Sequence, residues 1–62
     1  MAVLGVMVTP DGVWRVERVR DAKGLGYVVI YKGHTVRRCA TSEQVAEAMA
    51  AIGGDIADLV PD

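Results

Sequence analysis

The chain has 62 residues, 52% of them apolar and 24% charged, and its seven basic and eight acidic groups leave a formal charge of −1. That length holds one small domain, read as residues 1–62, and an apolar share above the usual ~45–50% argues against a disordered segment. The near-neutral balance excludes an overall polycation. Cys39, as the single cysteine, excludes an intrachain disulfide, and with the single histidine, His34, it cannot make a four-ligand Cys/His zinc site.

The first apolar run, residues 3–8, is far short of the ~20 residues that cross a bilayer and lacks the basic region of a signal peptide, so it reads as a strand of the fold. Thr9-Pro10-Asp11-Gly12 follows as a turn. Residues 13–20 (VWRVERVR) read as a second strand, and residues 21–26, with two glycines, as a loop. Residues 27–31 (YVVIY) are the third strand, Lys32-Gly33 a two-residue hairpin loop, and residues 34–40 the returning fourth strand. Thr41-Ser42-Glu43-Gln44 then fits a capping box, with Thr41 as N-cap and Gln44 reaching back. A helix over 42–52 follows, its Val45, Ala48, Met49 and Ile52 spaced to share one buried face. Gly53-Gly54 ends it, and a last turn over 55–60 tucks Ile56 and Leu59 against the sheet.

Residue usage supports this order. Nine of eleven valines lie in residues 3–36, and six of eight alanines in residues 40–57. Valine, stiff at χ1, suits a pleated surface, whereas alanine costs least in a helix. The expected class is therefore α+β: a mostly antiparallel three- or four-stranded sheet followed by one amphipathic helix packed on it, ββββα or βββα.

Charge is segregated along the chain. Residues 13–38 hold all seven basic groups (Arg15, Arg18, Arg20, Lys23, Lys32, Arg37, Arg38) against Glu17 and Asp21, while residues 39–62 hold five acidic groups and no basic one. A hairpin at Lys32-Gly33 pairs Tyr31 with His34, Val29 with Val36 and Tyr27 with Arg38. Closing the preceding loop with Arg20 opposite Tyr27 brings Trp14, Val16, Arg18 and Arg20 to the tyrosine face. Val28, Ile30, Thr35 and Arg37 share the other, aliphatic face, which is the one expected to receive the helix.

Chemistry-bearing motifs are sparse. Gly24-Leu25-Gly26 lacks the spacing of a dinucleotide fingerprint. Cys39 and His34, five positions apart on one strand, point to opposite faces and make no nucleophile–base pair. Glu43 and Glu47 read as a solvated acidic face. The expectation is a non-enzymatic module without cofactor, metal, small-molecule substrate or membrane contact. Arginines interleaved with aromatics on a sheet neutralise phosphates and stack bases, so the leading reading is a nucleic-acid-associated or regulatory surface of Arg15, Arg18, Arg20, Lys32, Arg37 and Arg38, with Tyr27 and Tyr31. The alternative is a protein-interaction module, a homodimer or adaptor subunit, docking through Trp14, Val16, Val29 and Val36 without nucleic acid. The Ala-, Val-, Gly- and Arg-rich usage fits a GC-rich bacterial gene, and the lone thiol fits a reducing cytoplasm.

Overall fold

Asp21 and Gly24 face each other across a two-residue turn, Ala22-Lys23, so what reads as a loop in the sequence is mostly strand. In the computed structural model, which describes residues 1–62, the elements are β1 (Ala2–Val8), β2 (Trp14–Asp21), β3 (Gly24–Tyr31), β4 (His34–Cys39), α1 (Ser42–Ala50) and β5 (Val60–Pro61). A single 3₁₀ turn, Ile56–Asp58, precedes β5. All pairings are antiparallel and the strand order is β4-β3-β2-β1-β5. The fold is thus α+β with the expected ββββα order, extended by a two-residue fifth strand that nothing in the sequence signals.

The tight β2–β3 turn is held by local chemistry. The Lys23 N–H donates to the Asp21 carboxylate at 2.8 Å, and Gly24 takes φ +96°, a region that favours glycine. Arg18, rather than Arg20, therefore lies opposite Tyr27. The slip is two residues, so the pleat is preserved and Trp14, Val16, Arg18 and Arg20 do share the tyrosine face. The β3–β4 turn has Lys32 and Gly33 both at positive φ, as a type I′ hairpin requires, with Tyr31 opposite His34.

Beyond that turn the expected register fails. A bulge at Val36 shifts the pairing, so that Val29 faces Arg37, Val28 faces Arg38 and Tyr27 faces Cys39. Arg38 is thereby moved off the tyrosine face and Arg37 onto it, and Val36 is left outside the ladder and exposed.

The helix lies over β3 and β4 on the tyrosine face, opposite to expectation. Val45, Ala48 and Met49 close on Trp14, Val16, Val29 and Cys39, with Met7, Tyr27, Tyr31 and Leu59 around them. The reason is residue shape and number. Trp14 and the two tyrosines offer far more apolar area to bury than Val28 and Ile30 do. Thr41 caps the helix by accepting from the Gln44 N–H, while the Gln44 side chain accepts from the Ala40 N–H at 2.7 Å. The helix ends earlier than its periodicity implies. Gly53 at φ +87° donates back to the Ala50 carbonyl and Gly54 to that of Met49, a Schellman ending. Ile52 falls in this turn and is 44% exposed, and Ile56 is exposed too, so only Leu59 of the C-terminal segment joins the core.

Candidate functional site

The basic residues divide into two sets. Arg38 is occupied: its Nε donates to Asp21 Oδ2 at 3.2 Å, and its Nη2 to Asp21 Oδ1 at 2.9 Å and to the Gly24 carbonyl at 3.2 Å. It reaches from β4 to β2 by crossing β3 at Gly26, where a Cβ would stand only 2.6 Å from the guanidinium carbon. The second glycine of Gly24-Leu25-Gly26 is thus a trough for an arginine. Arg38, and secondarily the Lys23 N–H, hold the Asp21 carboxyl below the usual carboxylate range. Arg15 is also occupied, donating to Glu17 at 3.1 Å with Asp62 at 3.9 Å.

Arg18, Arg20, Lys23, Lys32 and Arg37 make no ion pair. Arg18 and Arg20 lie on the helix side of β2, beyond the reach of the helix, where Gly5, Met7, Val16, Arg18 and Tyr27 line a groove of about 310 Å³. Lys32 sits 5.3 Å from the centre of the Tyr31 ring, and Tyr31 packs tilted against Trp14 with ring centres 4.6 Å apart. Trp14, Val16 and Val29 are core residues under the helix, at most 6% exposed, and offer no docking surface.

The bulge changes the relation of Cys39 to His34. Paired with Tyr27 and Tyr31, both now stand on the helix side, against expectation, but those partners are four positions apart along β3, roughly 13 Å. Cys39 is fully buried and burial raises its thiol pKa, while His34 is exposed. No three His, Cys, Asp or Glu side chains converge to hold a metal ion, and no helix is long and apolar enough to cross a membrane.

The face away from the helix is the feature that sequence reasoning assigned wrongly. Val6, Val8, Val28 and Ile30 stand on it half-buried, with Val3 and Val60 exposed at 49% and 44%. Glu17 and Arg15 run down its centre between the β1 valines and Val28 and Ile30, while Asp21 and Arg38 close one end. Its charged groups are therefore the cations Arg15 and Arg38 and the anions Glu17, Asp21 and Asp62, all in ion pairs within the chain. The signal was present in YVVIY, which is apolar on both faces of a strand. No protein-family model, curated protein or solved structure matches this chain.

Proposed function

We propose that this chain is a non-enzymatic interaction module that self-associates through the open face of its sheet. One observation carries the reading: an antiparallel sheet covered by a helix on one side normally turns polar residues to water on the other, and here β1, β3 and β5 turn out valine and isoleucine instead. Because the charges on this face are already in ion pairs, the face suits a partner surface with little net charge.

A second copy meets that requirement, and the central pair adds a complementarity. A twofold axis crossing the strands between Arg15 and Glu17 sets each Arg15 over Glu17 of the other copy. Four long strands at ~4.8 Å spacing offer roughly 500 Å² in projection, and a standard interface uses ~800 Å² of accessible surface per partner, so a stable dimer occupies the whole face. Replacing Val28 and Ile30 together by threonine keeps β-branched side chains while removing apolar area. Sedimentation velocity then reports a loss of dimer with an unchanged circular dichroism spectrum, and a variant that dimerises like the parent removes the open face from consideration.

The nucleic-acid reading rests on a different observation: Arg18, Arg20 and Lys23 lack ion-pair partners and cluster at one end of the β2–β3 hairpin. It is the second reading because Arg15 and Arg38 are engaged within the chain, and because Trp14 and Tyr31 pack tilted against one another rather than standing open to bases. Anisotropy of labelled single- and double-stranded DNA and RNA across about 50 to 200 mM salt tests it. Salt-dependent binding lost in Arg18→Gln/Arg20→Gln supports it, and flat anisotropy at low salt ends it.

A further inference from the structure

The helix side of the sheet is only half covered. A helix with its side chains is about 10 Å across and strands stand ~4.8 Å apart, so one helix spans two strands. α1 lies on β3 and β4, which leaves a strip about one helix wide over β1 and the Arg18–Arg20 end of β2. The groove of about 310 Å³ runs in this strip. Its hollow comes from Gly5, where a Cβ would meet no atom within 4 Å, next to the bulge that leaves Leu4 out of the β1–β2 ladder. Met7, Val16 and Tyr27 make its floor and walls apolar, and Arg18 is its one charged lining residue.

The charge beside the groove says what kind of partner covers it. Arg20 follows Arg18 on the same face of β2, opposite Leu25, which is 51% exposed. Neither arginine has an ion-pair partner, in contrast to Arg15 and Arg38, and no acidic residue lines the groove. The occupant therefore brings apolar side chains for the floor and carboxylates for the two arginines. A nucleic acid supplies the charge but nothing apolar for the hollow over Gly5. A second copy supplies acidic Glu43 and Glu47, but its helix has already buried Val45 and Met49 on its own sheet and turns only Ala46 and Ala50 outward beside them, side chains too short to fill the groove.

We infer that this strip docks an acidic amphipathic helix of a partner protein, its apolar side chains in the groove over Gly5 and its carboxylates on Arg18 and Arg20. The groove volume lies at the small end of ligand pockets and suits the side chains of a docked segment rather than a cofactor. The strip is on the other side of the sheet from Val28 and Ile30, so the inference does not rest on self-association through the open face.

The experiment titrates the isotope-labelled full chain with acetyl-Ser-Ala-Glu-Leu-Glu-Ala-Leu-Leu-Glu-Ala-Leu-Glu-Ala-Ala-amide, whose leucines recur at i, i+3, i+4 and i+7, and follows backbone amides by NMR. Saturable shifts are expected at Gly5, Met7, Arg18 and Tyr27, with Ile30 and Val60 on the open face unmoved. The same peptide with glutamine for every glutamate binds about tenfold more weakly, and Arg18→Gln/Arg20→Gln loses about the same factor. Gly5→Gln fills the hollow without meeting any atom of the chain, so it abolishes binding while the circular dichroism spectrum stays that of the parent. No saturation at millimolar peptide, shifts centred elsewhere, equal binding of the glutamine peptide, or binding retained in Gly5→Gln overturns the inference. So does displacement of the peptide by single-stranded oligothymidylate, which assigns the strip to nucleic acid. Shifts at Gly5 and Met7 on concentrating the chain alone overturn it as well, because they assign the strip to a second copy.

Discussion

Arg38 holds Asp21 from two strands away, its guanidinium lying across Gly26 of the strand between. This contact ties β4 to β2 on the open face, and Val19, beside Gly26 in the ladder, is fully buried although it lies outside the helix-side core. The Asp21 carboxyl has a lower pKa folded than unfolded, so the ionised form favours the folded state. That contribution is complete above the unfolded value near ~3.9 and is lost as pH falls from there through the folded pKa. Urea midpoints measured from pH 7 to pH 2 should show Asp21→Asn less stable than the parent at neutrality and the two converging in acid. A constant gap at all pH values contradicts this role.

Gly54 is a position where size alone decides. A methyl group there stands 2.7 Å from Trp14 Cζ2, and the ring cannot retreat because Tyr31 packs on it. Gly54→Ala should cost about 1–3 kcal/mol in urea denaturation and shift Trp14 emission. Gly5→Ala meets no atom within 4 Å and serves as the control.

The helix is attached by few side chains, so its loss is sensitive to single changes. Met49 is 0% exposed at the centre of the core, and Met49→Ala should cost about 2–5 kcal/mol. Stability scaled to this chain length is roughly 3–9 kcal/mol, so that variant is expected to lose about half of it, with a lower urea midpoint by circular dichroism. Thr41→Ala removes only the cap and should cost about 0.5–2 kcal/mol with the fold retained.

How far these features are legible in the sequence differs from element to element. The succession of elements along the chain, the Lys32-Gly33 hairpin, the Thr41 cap and the Gly53 stop follow from local chemistry, and local chemistry is what a sequence displays. The side of the sheet that the helix covers depends on comparing two faces, each apolar in YVVIY, and the aromatic face wins on buried area. The bulge at Val36 has no residue signature, yet it alone sends Arg38 to Asp21 and Arg37 to the other side. Strand β5 forms because the chain turns back at Asp55, which caps the 3₁₀ turn, and a two-residue pairing carries no periodicity to detect. The cleft that Thr9, Asp11 and Trp14 share with Gly54, Asp55 and Asp58 is illegible for a related reason: its two halves lie about 40 positions apart in the chain and only the folded sheet joins them.

Reversing the central pair of the open face probes its part in self-association. Arg15→Glu sets two acidic groups against each other within the chain and across the proposed twofold axis, and dimer affinity should fall. Arg15→Glu/Glu17→Arg restores both relations, and sedimentation should recover the dimer. Failure of the double variant to recover, with its fold intact, argues that the axis does not pass between these residues.

Sedimentation equilibrium of the unmodified chain, from micromolar to near-millimolar concentration, tests the central claim most directly. The account predicts a monomer–dimer equilibrium, with the dimer lost in Val28→Thr/Ile30→Thr and kept in Arg18→Gln/Arg20→Gln. A chain that stays monomeric over the whole range, or a dimer insensitive to Val28 and Ile30, contradicts it.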